Sequence, residues 1–501
     1  MTTISLTSAA ASRARAGAIV IGIYGPAKPG ASISVATENF PDTSAAAHGD
    51  SAKNGYEEVV TAARLAGATG ASAEVTTFAA PPSFPADRII AVGLGKQTSM
   101  TAEHIRRAAG AASRAAAGCA RITSTLGALD VRDAAEGHLL GAYQFDGYKV
   151  PEKPSVTSIS LQVPKADRVS KVTLRQAVIA SEAVMLARDL VNTAPNDLPP
   201  SVFADRAANA ARAAGLAVQV LTEKALERGG YGGILGVGSG STRPPRLVRI
   251  SYRPARAKAH VALVGKGVTF DSGGLSIKAA AGMEHMTSDM AGAAAVIATV
   301  IAASALNLPV AITATVPMAE NMPSGSAYRP GDVLRHRGGQ TVHVLNTDAE
   351  GRLILADAIV RACEDKPDYL LTAATLTGAQ VVALGNRTMG VMGSEALRDR
   401  VAELAREVGE DGWAMPMPEE LREALTSPLA DIANVSMERS GGMLVAAHYL
   451  AHFVPDGVQW AHLDVAGPAF NTANPHGYTP RGGTGVPVRT MLAALADIAT
   501  G

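Results

Sequence analysis

With 501 residues the chain exceeds what a single hydrophobic core usually organises, so about two or three domains are expected. Lys plus Arg and Asp plus Glu total 45 each, a balance that leaves no global field to favour nucleic acid, an anionic membrane or a strongly charged substrate. The two cysteines, Cys119 and Cys363, lie far apart in alanine-rich, helix-like surroundings, which excludes a disulfide framework or a thiolate metal cluster and fits a reducing, cytoplasmic compartment.

The chain opens with few acids, the first being Glu38, and its Ser, Ala and Arg content imitates a transit peptide. The apolar run AGAIVIGIYG is too short to span a membrane and reads instead as a first buried strand, followed by the turn-forming PAKPG. Nowhere else do about 18 uninterrupted apolar residues occur, so a soluble protein is expected. Up to about residue 165, strand-like RIIAVGLG and VTSISLQV (156–163) alternate with helix-like AEHIRRAAGAASRAAAG (102–118), an α/β pattern. The GLG at 93–95 lacks the glycine spacing of a nucleotide loop and reads as the turn that ends a strand.

A long helical pattern over 171–192 stops at TAPNDLPP, where prolines break it, and the domain boundary is placed within or just before this helix. Beyond it, RLVRISY (246–252), AHVALVG (259–265), LPVAITATV (308–316), TVHVL (341–345) and YLLTAAT (369–375) are nearly continuous in apolar residues, as parallel strands covered on both faces are. The expectation is an α/β protein of two domains: a smaller N-terminal α/β domain (1–170) and a larger C-terminal one (171–501) with a central mixed, mostly parallel sheet covered by helices.

Ligands of such sheets gather beyond the carboxyl ends of the strands, and polar motifs collect there. KGVTFDSGGLSIK (266–278) follows a buried strand and carries Lys266, Asp271 and Lys278; Asp289 opens the helix-like DMAGAAAVIATVIAAS; NTDAEGRL (346–353) joins a strand to a helix and adds Asp348, Glu350 and Arg352. Singly, each has an ordinary explanation: a snorkelling strand end, a turn former, a solvated loop charge, or a helix cap at Asp289, Thr347 or Asp348. Together, four carboxylates converging at one sheet edge would repel one another and call for cations. Oxygen-rich donors suit Mg²⁺, Mn²⁺ or a carboxylate-ligated zinc pair, and no histidine pair at ligand spacing appears, although His285 and His343 are near.

These motifs resemble the leucyl aminopeptidase family, the M17 metallopeptidases. NTDAEGRL matches the family signature without a substitution, and GKGVTFDSGGLSIK with the later SDM matches its other metal loop. The likeness continues through ATLTGA (374–379), ADIAN (430–434), WAHLDVAG (460–467) and GGTGVPVRTML (482–492), and so covers about 170–501 well; before that it is loose, mainly at GAYQFDGYK. One departure is Ala291, where glycine is common.

The resemblance implies two divalent ions per subunit, Mn²⁺ or Zn²⁺, bridged by Asp271 and Glu350. One ion would also take Lys266 and Asp289, the other Asp348 through its carboxylate and backbone carbonyl. Lys278 and Arg352 would be the catalytic pair, with a bicarbonate at Arg352 relaying a proton, and Met286, Thr375, Leu376, Gly378 and Ala466 would form an apolar side-chain pocket. Lysine ligates a metal only as a neutral amine, so Lys266 should have its pKa lowered while Lys278 keeps its charge. Two metals about 3.5–4 Å apart would activate a shared water and polarise the scissile carbonyl, and a substrate's free amino group could bind one of them, which favours trimming of peptide amino ends. The implied assembly is a homohexamer with inward-facing sites. A nucleic-acid-binding or scaffold protein on the same fold is the alternative, against which the neutral charge and intact site argue; a two-metal phosphoesterase lacks the expected histidines.

Overall fold

The computed structural model describes residues 2–28, 31–36 and 51–500; Glu38 and the last two residues of PAKPG lie outside them. The chain divides into two compact units, one of Met1–Glu182 with Ala473–Arg481 and one of Ala183–Thr472 with Gly482–Gly501. The divide falls inside the helix Arg168–Asn192, which ends where TAPNDLPP begins. Residues 473–481, counted with the C-terminal domain in the sequence reading, group with the first unit because their side chains and carbonyls bond there: the Tyr478 hydroxyl donates to Glu103 at 3.1 Å, and Arg114 donates to the Gly477 carbonyl.

In the first unit the run AGAIVIGIYG forms the strand Ala16–Tyr24, buried from Ala18 onward, in a seven-stranded sheet among the described residues. Its parallel neighbours are Ala86–Gly93 on one side and Arg121–Ser124 on the other, the latter followed by Ser158–Gln162. GLG ends the strand Ala86–Gly93 without a turn: the Leu94 amide still donates to the Ile23 carbonyl at 2.9 Å, and Gly95 leaves the strand with a φ of 76°. The alanine-rich segment after it is the helix Ala102–Ala115, started by a reciprocal cap between Thr101 and His104.

The second unit is built on a mixed sheet that has nine strands among the described residues. Its centre is parallel, with Gln459–Asp464, Tyr369–Ala374, His260–Gly265 and Ala311–Asn321 side by side. The short strand Gly267–Asp271 also lies parallel to Ala311–Asn321. Two expected members differ. RLVRISY becomes Arg246–Tyr252, which runs antiparallel to Ala311–Asn321; its polar Arg249 pairs with Asp365 and is a sign, overlooked in an otherwise apolar run, that this strand is not wholly buried. TVHVL supplies only Thr341–His343, in a separate three-stranded sheet with Val333–Arg335 and Ile432–Ala433. Val342, His343 and Val344 are all buried, so burial does not set this short strand apart from a central one; its pairing partners do.

The strand read as ending at residue 316 continues through Pro317 to Asn321. Proline is tolerated because the parallel partner changes there: His260–Gly265 pairs as far as Thr315, and Gly267–Asp271 begins at Met318. That extension delivers Asn321 to the carboxyl edge.

The helix Ala291–Ala305 packs on this sheet and is apolar on nearly every face. The stretch Met283–Ala305 that contains it is long and apolar enough to cross a bilayer, but 83% of its most apolar window is buried inside the unit, as a core helix is. Close approach requires Gly292, because a Cβ there would sit 2.1 Å from the Ala373 carbonyl oxygen. Replacing Gly292 by Ala should therefore cost about 1–3 kcal/mol through forced separation of helix and strand, read as a lower urea midpoint; an unchanged midpoint would show that the contact yields freely.

Candidate functional site

The parallel strands deliver their last residues to one edge. Lys266 follows His260–Gly265, Asp271 ends Gly267–Asp271, Asn321 ends Ala311–Asn321, Thr375 follows Tyr369–Ala374, and Asp464 ends Gln459–Asp464. Into the same edge NTDAEGRL brings Asp348 and Glu350 immediately before the helix Gly351–Cys363. Neither Thr347 nor Asp348 caps that helix. Glu350 holds the cap position with helical backbone angles and no capping side chain, while Thr347 donates to the Gly273 carbonyl at 2.6 Å and Asp348 faces Lys278. Asp289 likewise does not start its helix; it closes the single turn Met283–Ser288 two residues ahead of Ala291–Ala305.

Two lysines thread four carboxylates. The Lys266 ammonium, buried, lies 2.6 Å from Asp289 Oδ1 and 2.7 Å from Glu350 Oε1 and donates to the Thr375 carbonyl at 2.9 Å. Gly351 makes room for it, since a Cβ there would be 2.5 Å from Lys266 Cε. Lys278 lies 2.7 Å from Asp271 Oδ2 and 2.5 Å from Asp348 Oδ1. Oxygens of Asp271, Asp348 and Glu350 all fall within 4.8 Å of one another.

Burial opposes charge on Lys266, but the carboxylates of Asp289, Glu350 and Asp271 outweigh it and hold the ammonium above its usual range; Lys278 is held up in the same way by Asp271, Glu350 and Asp289. The lowered pKa expected of Lys266 is thus not a property of the chain's own charges, and a neutral amine there requires a competing dication. Burial, reinforced by Glu350, raises Asp271, and burial raises Asp289 and Asp348 despite their lysines. Two ammonium groups do not balance four carboxylates. Asp289 Oδ2 has no hydrogen-bond donor, and Asp348 Oδ1 and Glu350 Oε1 face only the lysine ammonium groups, at 2.5 Å and 2.7 Å. Such an oxygen-rich, under-donated set fits hard divalent ions.

Arg352 lies in the first turn of the helix, buried, with Nη1 donating to the Asn434 carbonyl at 2.8 Å, its guanidinium carbon 6.0 Å from the Tyr449 ring centre, and no partner for Nε. Burial lowers its pKa. Of the expected pocket residues, Thr375 donates its hydroxyl to Asp289 at 2.8 Å, and the backbone amides of Leu376 and Ala466 both donate to Asp464 Oδ1 at 3.2 Å, which brings those two loops together. Leu376 and Ala466 are half-buried, Gly378 is exposed with open space around it, and Met286 is half-buried in the turn that leads to Asp289.

Three residues escaped the sequence reading of roles. Asn321 donates to Asp271 Oδ1 at 2.8 Å and to the Thr347 carbonyl at 3.0 Å, joining the two metal-type motifs. Asn434, within ADIAN, ties the backbone around Asn346, accepting from Leu345 at 2.8 Å and donating to the Asn346 carbonyl at 2.7 Å. Asp464 accepts from the Thr377 hydroxyl at 2.8 Å besides the two amides. The available signal was a lone polar residue at the carboxyl end of an apolar strand.

A lysine-flanked carboxylate cleft at the edge of a parallel sheet is the equipment of a metal-dependent hydrolase. Comparison with known proteins narrows this class: residues 185–492 match the catalytic domain of the cytosol aminopeptidase family and residues 36–152 its N-terminal domain, so the chain belongs to that family. A probable cytosol aminopeptidase from Rhodococcus jostii is 60% identical over 442 residues, covering 86% of this chain and 87% of the relative. Among solved structures, the bottromycin maturation enzyme BotP in complex with Mn is 36% identical with a TM-score of 0.84, covering 96% of this chain and 99% of that one. A tomato leucine aminopeptidase carrying a Lys-to-Glu substitution is 29% identical with a TM-score of 0.86, covering 99% and 97%.

Removing the Asn321 amide in Asn321→Ala should weaken Mn²⁺ binding by about 10- to 100-fold in calorimetric titration, because Asp271 would lose the donor that orients it. Asp464, raised by burial to about 6 from an ordinary 3.8, binds a proton more tightly in the folded chain. Its contribution to stability should therefore fall as pH rises from about 4 to about 6. Asp464→Asn should remove that part of the slope in urea unfolding; parallel wild-type and variant profiles would contradict the assignment.

Proposed function

We propose that the chain is a metal-dependent aminopeptidase that removes leucine-like residues from peptides with a free amino terminus and works with two divalent ions, Mn²⁺ or Zn²⁺. The observation that carries this reading is the meeting of Asp271, Asp348 and Glu350 oxygens within 4.8 Å beside two lysines. Asp271 and Glu350 would bridge the ions, Lys266 and Asp289 would complete one site and Asp348 the other. When bound, the ions would take the substrate's amino group, polarise the scissile carbonyl and lower the pKa of water.

The lysines divide the remaining work by exposure. Lys266 is 3% exposed and can serve only the cluster, whereas Lys278 is 23% exposed and reaches substrate. Its ammonium, kept charged by Asp271, would stabilise the oxyanion that forms as the peptide carbonyl is attacked. Arg352, with Nε unpartnered, would hold a bicarbonate able to pass a proton towards the leaving amine. Met286, Thr375, Leu376, Gly378 and Ala466 would receive the first side chain, and the apolar members favour leucine-like groups. A cytoplasmic homohexamer completes the proposal, and a stable monomer by light scattering would contradict the assembly.

Protein stripped of metal and resupplied with Mn²⁺ or Zn²⁺ should release p-nitroaniline from leucine p-nitroanilide and lose that activity with chelator. Asp271→Ala or Glu350→Ala should lose both turnover and metal, while Lys278→Ala should keep metal and lose about 10²–10³ in kcat. Unchanged kcat in Lys278→Ala would remove the oxyanion role. Hydrolysis of p-nitrophenyl phosphate but not the anilide would overturn the peptidase reading itself.

A further inference from the structure

The first unit holds a cavity of about 240 Å³ that the proposed activity does not use. Its wall includes Ser113 and Arg114 from the helix Ala102–Ala115, Leu140 from the helix Val131–Gly141, Tyr143 and Gln144 from GAYQFDGYK, and Tyr478 from the 473–481 segment. Drug-sized ligands occupy about 300–1,000 Å³, so the volume suits something smaller.

The charge on that wall is one-sided. Arg114 donates through Nη1 to the Gly477 carbonyl, and among the described residues no carboxylate stands within ion-pair distance of it. Burial lowers its pKa with no opposing charge to offset the effect. Glu103, the acid that Tyr478 bonds, is already paired with Arg106 at 2.6 Å and Arg107 at 2.7 Å. A partly buried guanidinium without a counter-ion is costly, and an anion in the cavity would offset that cost. Its Nε and Nη2 edge has the fork geometry that suits a carboxylate.

A second donor stands beside it. Ser113 is buried with Oγ 2.7 Å from His138 Nδ1, and His138 Nε2 is 2.8 Å from Ser124 Oγ. Burial depresses His138 to about 3, so the ring is neutral with one donor and one acceptor nitrogen. Ser124 Oγ accepts from the Leu126 amide at 3.3 Å, which leaves its own proton for Nε2. With Ser124 donating to Nε2 the ring proton sits on Nδ1, and the Ser113 hydroxyl proton is then free for the cavity. A single guanidinium matches a monoanion, and the aliphatic part of the wall at Leu140 and Ala117 calls for an apolar body.

We propose that this cavity binds a small apolar carboxylic acid, with the carboxylate on Arg114 and Ser113 and the aliphatic chain against Leu140 and Ala117. The test is equilibrium dialysis of the full-length, metal-loaded protein with 4-methylpentanoate. Binding is expected to weaken about tenfold or more in Arg114→Gln and for the neutral 4-methylpentanamide on the unaltered protein. Arg114→Gln should retain leucine p-nitroanilide turnover, and Asp271→Ala should retain the binding. Ala117→Phe, which fills the cavity without touching its charge, should also abolish binding and decides the matter if Arg114→Gln fails to fold. Equal affinity for the amide, binding unaltered in either cavity variant, or loss in Asp271→Ala alone would overturn the proposal, the last by placing the acid in the metal cluster. Free leucine as a parallel probe separates the sources: leucine binding that Arg114→Gln weakens assigns the site to a released amino acid, and binding of 4-methylpentanoate alone assigns it to acids without an amino group. Only the leucine arm rests on the proposed aminopeptidase activity.

Discussion

The second unit is organised around mutual repulsion among buried Asp271, Asp289 and Glu350 and half-buried Asp348 at one sheet edge. Carboxylates so placed are tolerable only with positive charge among them, and the chain itself supplies Lys266 and Lys278. Those two ammonium groups leave an excess of negative charge and Asp289 Oδ2 without a donor, so the same geometry that strains the folded chain gives it affinity for small dications. Binding and stability are therefore coupled: a divalent ion that binds only the folded cluster stabilises it by an amount that grows with the logarithm of the ion concentration above Kd.

The parallel strands make this juxtaposition possible. Because Gln459–Asp464, Tyr369–Ala374, His260–Gly265 and Ala311–Asn321 run in one direction, residues distant in sequence emerge at one edge within reach of one another. Helices then fix the second layer of contacts. Gly351 lets the Lys266 chain pass, and Gly292 lets Ala291–Ala305 sit directly on the Ala373 backbone. The site is thus a property of one unit's register, whereas the carboxylic-acid cavity proposed in the first unit depends on a different lone cation, Arg114.

Much of this was legible in the sequence. Near-continuous apolar runs identified three strands of the parallel centre but not Gln459–Asp464, and the polar motifs following them identified the cluster residues that the structure brings together. What escaped did so for physical reasons. A Pro317 hidden where the ladder changes partners made the strand look finished, so Asn321 was not placed at the edge. Asp289 and Asp348 look like helix caps locally, and only long-range pairing with lysines distinguishes them from caps. TVHVL has the composition of a central strand but pairs elsewhere, because pairing partners are chosen by three-dimensional neighbours that a short window does not contain. Lys266 is the clearest case of a property invisible to composition: its charge state follows from Asp289, Glu350 and Asp271 acting together.

Asp464 has an evolutionary consequence. By accepting the amides of both Leu376 and Ala466, one carboxylate yokes two loops that would otherwise drift independently. Mutational change in the two is then correlated: a substitution that shifts one loop tugs on the other. Tolerated changes should therefore come in pairs across the yoke, as they do for residues that share a partner.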